Sequence, residues 1–179
     1  MSDIQNTVND LRNRVEALER KSPKDKLSMV VFSGSLDKVL AAFIMATGAA
    51  AMGTSVTMFF TFWGTAALRK KARVKKDFIS RMFGLLLPTG ADRLKLSKMN
   101  FCGAGTAMMK SLMNRKKTVT LPQLLEMAGQ LEVQINICEM SMDLMGMKRE
   151  EMVDYPGLEY CGVAGFLAQA QESSNTLFI

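Results

Sequence analysis

An open, mostly parallel α/β sheet of about five strands flanked by helices is the fold the sequence predicts, and three observations predict it. Short strand-like runs alternate with helical patterns from residue 27 to the end, the order that builds parallel sheets. Met29–Phe32 is a continuous apolar run, as expected of a strand buried on both faces. Val39–Leu68 carries no formal charge, yet it changes midway from an Ala-rich helical half, through Gly53, to the strand-like VTMFFTF. A membrane helix needs about 20 predominantly apolar residues, so length alone would permit a span here. Gly48, Gly53, Gly64 and scattered Ser and Thr break the run. It reads as buried helix, turn and strand, and no membrane span is expected.

Each element can be justified in order. Residues 1–22 form an amphipathic helix, with Ile4, Val8, Leu11, Val15 and Leu18 at alternating spacings of four and three. Those are heptad d-a-d-a-d positions, the pattern of a coiled-coil oligomerisation segment. A helix this short is marginal alone, so its stripe needs a partner chain or its own domain. Ser22-Pro23 stops it, Pro23–Lys26 reads as a linker, and residues 27–179 form the α/β domain. After the strand at Met29–Phe32 come the turn Ser33-Gly34-Ser35 and a helix over Leu36–Met52. Ser35 is placed to cap that helix, and Asp37 to sit at its positive end. Ser55–Thr61 is the second strand, completing a right-handed βαβ unit.

Phe62–Lys117 reads as an excursion of short helices, holding the basic run RKKARVKK at Arg69–Lys76 and a Gly-rich turn at Cys102–Gly105. Order resumes with the helix LPQLLEMAGQLE, Pro122 near its start. A strand at Val133–Ile137, a short helix at Ser141–Gly146 and a short strand ending in Tyr160-Cys161 follow. A helix over Val163–Gln171 and a terminal strand at Asn175–Ile179 complete the chain.

The chain contains no histidine. That removes Cys-His and Ser-His nucleophile pairs and His-ligated metals. Cys102, Cys138 and Cys161 are odd in number and widely spaced, with no CxxC pair. They fit neither a disulfide scaffold nor a zinc site, and they favour a reducing compartment. No metal or organic cofactor is expected. The polar N-terminal stretch does not read as a secretory leader, so a cytoplasmic location is expected.

In open α/β sheets, ligands gather at strand carboxyl ends where strand order reverses. In the 2-1-3-4 order common among flavodoxin-like chains, the reversal lies between strands one and three. Ser33-Gly34-Ser35 and Cys138 would then share one crevice. The helix after Cys138 favours a thiolate, and Ser33, Ser35 and Ser141 can donate hydrogen bonds to an anionic sulfur. Glu139 opposes ionisation, and free cysteines commonly serve as small buried hydrophobes. The residues themselves leave both readings open.

Cys161 ends the strand expected beside strand three, where it could resolve a sulfenate or persulfide as a disulfide. Cys102 lies in the turn NFCGAGT. Both are candidate second thiols, with simple packing or exposure the plainer reading. Trp63 ends FFTFW beside the crevice, as a pocket wall or as core. CGAGT and GSLD lack the glycines and the Gly-Lys-Ser/Thr of phosphate loops. The basic run at Arg69–Lys76, with Arg115–Lys117, supplies much of the net charge of +6. It reads first as a solvated face and second as a dock for an acidic protein. Nucleic acid binding is not expected, since stacking aromatics are not interleaved with the charge.

Several segments together resemble the DsrE/DsrF-like (DsrEFH-like) sulfur-relay family, in the branch often labelled peroxiredoxin-like. They are KLSMVVFSGSLDKVLAAFIMATGAAAMGTSVTMFFTFWG, ICEMSMDLMGMKREEM, the GVAGFL turn and the terminal NTLFI. FFTFWG and C-x-MSMD-x-MG are the most specific of these. The resemblance spans about residues 27–179 and implies a flavodoxin-like fold, homo-oligomerisation and a cytoplasmic role in sulfur trafficking. It also implies that Cys138 carries sulfane sulfur as a persulfide, with a TusA-like carrier or a rhodanese among its partners. The expectation is a sulfur carrier or sulfurtransferase with its thiol presented at the sheet rim. The alternatives are a non-catalytic oligomeric assembly protein, or a small-molecule or nucleotide-binding module using the same crevice.

Overall fold

The computed structural model describes all residues except 1, 22–23, 73, 75–81, 83 and 85, and describes only the backbone of 2–3, 17–21 and 24. Helix α1 covers Ser2–Lys21, and its stripe at Ile4, Val8, Leu11 and Val15 is exposed. Strand β1 runs Lys24–Val31, helix α2 Leu36–Ala51 and strand β2 Ser55–Phe60. A 3-10 turn at Phe62–Leu68 opens the excursion, and helix α3 at Ala104–Arg115 closes it. Helix α4 at Leu121–Gln130, strand β3 at Gln134–Cys138 and helix α5 at Glu139–Leu144 come next. Strand β4 at Leu158–Cys161, helix α6 at Val163–Gln171 and strand β5 at Ser173–Phe178 end the chain.

All five strands are parallel, in the order β4-β3-β2-β1-β5. Strand β2 therefore lies between β1 and β3, and the order reverses between β1 and β5. The expected 2-1-3-4 order is incorrect. Apolar runs identify strands buried on both faces, but they do not encode which buried neighbour each strand takes. The linker expected at Pro23–Lys26 is also corrected, because β1 starts at Lys24. Ser22 and Pro23 lie outside the described residues.

The pleat divides the side chains into two faces. Met29 and Val31 of β1, Met58 and Phe60 of β2, and Ile135 and Ile137 of β3 point to one face. There they meet Val39, Ala42, Phe43 and Ala46 of α2, and Leu121, Leu124 and Ala128 of α4. Burying each large side chain contributes roughly 1.5–3 kcal/mol. Helix α4 begins as its sequence suggests: Thr120 and Gln123 form a capping box, and Pro122 sits in the first turn. The opposite face carries Ser28, Thr57, Phe59, Asn136 and Cys138, all buried. Helix α6 packs over it, contacting β1, β4 and β5. Among the described residues, no helix is long and apolar enough to cross a membrane.

The basic run at Arg69–Lys76 departs from its expected solvated role at its first residue. Arg69 is buried and ion-paired to Glu151, while Lys70 binds Asp154 at 2.8 Å. Residues 73, 75 and 76 of that run lie outside the described residues.

Candidate functional site

The residues expected to share one crevice divide between two places. Ser33, Gly34, Ser35 and Trp63 line a cavity of about 720 Å³ over the carboxyl end of β1, together with Arg93 and Lys95. Trp63 follows β2 in the 3-10 turn and is 46% exposed, which makes it a wall and not core. Close backbone approach builds this wall. A Cβ on Gly34 would lie 2.4 Å from the Trp63 carbonyl oxygen, and one on Gly64 2.2 Å from that of Val31. The Gly64 N–H also donates to the Phe32 carbonyl at 2.9 Å. Phe62 carries the turn through a φ of 45°, a left-handed conformation that is strained for a bulky side chain.

Ser35 occupies the N-cap position of α2 but makes no side-chain cap bond. Its hydroxyl instead pairs with that of Ser33 at 2.8 Å, so the expected cap is not formed. Two hydroxyls, two cations and a helix N-terminus suit an anionic group.

Cys138 stands apart from this cavity, across β2. It is the last residue of β3 and the N-cap of α5, which begins at Glu139, earlier than the expected Ser141. Its side chain points to the α6 face, packed with Phe59 and Phe166, and is wholly buried. Those two rings stack at 4.7 Å. The thiol is therefore not presented at the rim as expected. An alternating strand sends its last residue to one face or the other, and here that face lies under a helix. Ser141 is buried in α5 and hydrogen-bonds Thr61 at 2.9 Å, tying α5 to the residue just before the 3-10 turn. It thus links the two regions. Arg149 ion-pairs with Glu139 and lies 4.5 Å over the Tyr160 ring. The carboxylate beside Cys138 is thereby compensated.

Cys161 is the register partner of Cys138 on β4 and is half-buried. Burial pushes its thiol above the ordinary value, helped by Cys138, Glu159 and Glu139 and opposed by the Phe166 backbone N–H. Cys102 is exposed, in a turn where its φ is 55°, far from either strand end in sequence. One residue that sequence reasoning missed is Asn136, on the same face as Cys138 and two residues before it. It is buried, donates to Gln169 at 3.0 Å, and its Oδ1 has no partner among the described residues. A polar residue at alternating spacing from Cys138 within an apolar strand was the available signal. Among the described residues, no group of three or more Cys, Asp or Glu is placed to hold a metal ion.

The five parallel strands and the helices flanking them make an open α/β domain. The chain belongs to the DsrE/DsrF/DrsH-like family, which it matches over residues 23–178. The chain is 49% identical to the uncharacterized protein YrkE of Bacillus subtilis (strain 168) over 156 residues, 86% of this chain and 96% of that one. It is 37% identical to the sulfur carrier protein DsrE2 of Allochromatium vinosum over 158 residues, 86% of this chain and 98% of that one. Among solved structures, the ychN protein from E. coli matches with a TM-score of 0.50 at 11% identity, over 86% of this chain and 98% of that one. That last likeness shows the fold.

Proposed function

We propose that the chain is a sulfur carrier or sulfurtransferase-like protein, loaded at Cys138 as a persulfide and discharged to a partner's thiol. Family membership and the likeness to a protein named as a sulfur carrier support a sulfur-relay role. Cys138 is the residue we assign to it, because it ends a central parallel strand where the backbone is held rigidly and helix α5 begins. The thiolate would attack a donor's sulfane sulfur, and thiolate fraction and access would set the rate. Burial adds a condition: Phe166 must move before a donor reaches the sulfur. Phe166 belongs to helix α6, a nine-residue element. The hydroxyl-lined, cationic cavity beside Trp63 is the place proposed for a partner's acidic tip. A TusA-like carrier or a rhodanese is the proposed kind of partner, and α1 the proposed site of self-association in a cytoplasmic oligomer.

A second reading draws on the same burial. With no exposed surface, Cys138 would be inert core and the protein an oligomeric assembly module. Intact-protein mass spectrometry after exposure to polysulfide decides between them. A gain of one sulfur mass on Cys138, removed by reductant and absent in Cys138→Ser, supports the carrier. Sulfur on Cys102 or Cys161 alone, or none, refutes the assignment.

A further inference from the structure

Cys138 and Cys161 are the final residues of two adjacent strands and face each other in register. Neighbouring strands lie about 4.8 Å apart, within the Cα separation of roughly 4.4–6.8 Å that a disulfide spans. Register partners share a face of the pleat, and both thiols pack with Phe59 and Phe166. Beyond them the chain leaves the sheet, into α5 on one side and through Gly162 on the other. Strand ends of this kind can adjust to bring two sulfurs together. Their accessibility differs, Cys138 being buried and Cys161 reaching the surface.

We infer that Cys161 is the resolving thiol for sulfur carried on Cys138: it discharges the persulfide as hydrosulfide and closes a Cys138–Cys161 disulfide. The inference rests on the carrier reading above. The Cys161 thiolate attacks the inner sulfur of the Cys138 persulfide and supplies the electron pair of the new S–S bond. The old S–S bond breaks, and its pair leaves with the outer sulfur, which keeps its proton and departs as HS⁻. In formal oxidation state, the Cys161 sulfur loses the electron that the outer sulfur gains, and the inner sulfur is unchanged. A dithiol reductant restores both thiols.

The surroundings make this step slow at rest. Burial, Glu159 on β4 and Glu139 on α5 hold the Cys161 thiol protonated, while the Phe166 N–H favours its thiolate and Arg149 balances Glu139. Cargo is retained for a partner at neutral pH, and self-discharge quickens as pH rises. The pair is thus a release valve for sulfur that finds no acceptor.

The test uses the full chain, reduced, loaded with inorganic polysulfide and freed of excess. Wild type is expected to release hydrosulfide and to yield a peptide joining Cys138 to Cys161. Cys161→Ser is expected to keep the added mass on Cys138 about tenfold longer or more, until dithiothreitol is added. Equal release from both proteins, or no joined peptide, overturns the inference and leaves the carrier standing if the sulfur mass was on Cys138. Sulfur never found on Cys138 overturns both. A titration with oxidised dithiothreitol, without sulfur, checks the pair separately: failure to join Cys138 to Cys161 counts against the inference whatever the loading result.

Discussion

Arg69 and Glu151, which are 82 positions apart in sequence, meet at 3.0 Å with both side chains buried. The second Glu151 carboxylate oxygen accepts from the Lys148 N–H at 3.0 Å, and Arg69 reaches the carbonyls of Gly84 and Leu87 at 3.4 Å. The pair anchors the start of the long excursion to the segment before β4. Removing one partner leaves the other charge buried, so Arg69→Ala is expected to cost roughly 3–5 kcal/mol in urea unfolding. Arg69→Met combined with Glu151→Leu should cost clearly less than the two single changes summed. Strict additivity would show that the pair contributes nothing as a unit.

That pair also shows where reading the sequence stops. RKKARVKK looks like a solvated run, because nothing local distinguishes Arg69 from its neighbours and its partner is remote. The strands were legible, since Met29–Val31, Val56–Phe60 and Ile135–Ile137 are mostly apolar runs that must pair. Their lateral order was not, because a run buried on both faces accepts any similar neighbour. Cys138 was identifiable as a strand end, and its pairing with Cys161 follows from β4 lying beside β3. The burial of Cys138 was hidden, for it depends on Phe166 arriving from a helix 28 residues later.

Gly34 has no room for a methyl group. Its Cβ would stand 2.4 Å from a backbone oxygen that cannot swing away. Gly34→Ala is therefore expected to push the two loops apart and cost about 1–3 kcal/mol. Because the obstructing atom belongs to Trp63, indole fluorescence should shift in the folded state as well. An unchanged emission spectrum and an unchanged urea midpoint would contradict this account of the cavity wall.

Asp37 ties the first turn of α2 to the excursion, accepting from the Ser97 amide at 2.8 Å and from its hydroxyl at 2.5 Å. Burial pushes its carboxyl up, but the Ser97 bonds, its own amide and Lys38 outweigh this, leaving it below its ordinary value of 3.8. The folded state thus binds that proton less readily than the unfolded state. Its contribution is present above the ordinary value and is lost as pH falls through the lowered one. Asp37→Ala should cost about 1 kcal/mol at neutral pH, discounted because the group is exposed and screened. The difference from wild type should shrink as pH falls below the ordinary value of 3.8 and through the lowered one. A gap that stays constant between these conditions would mean that charge plays no part.

Helix α1 has Val8 and Val15 at heptad a positions and Leu11 and Leu18 at d, a pattern that favours two parallel strands. The full chain should therefore sediment as a larger species than a chain lacking residues 2–21. Val8→Asp with Val15→Asp should reproduce the truncation. Identical sedimentation of all three would remove α1 from the assembly.

Access to Cys138 is the hinge of the carrier proposal, and its burial makes a measurable ordering. Alkylation of the native protein should modify exposed Cys102 first, half-buried Cys161 next and buried Cys138 last. The Cys161 rate should keep rising as pH passes the ordinary thiol value of 9.0, because burial holds its thiol above it. Phe166→Ala removes the ring stacked on Phe59 and leaves a gap over the sulfur. Loss of a buried aromatic costs about 3–5 kcal/mol, so the variant must first be shown to stay folded by circular dichroism. In that variant Cys138 should react about tenfold faster or more, as access limits a buried thiol, while Cys102 keeps its rate. If Cys138 reacts no faster with the ring gone, Phe166 is not its gate, and access must open through the Cys161 side of the strand pair.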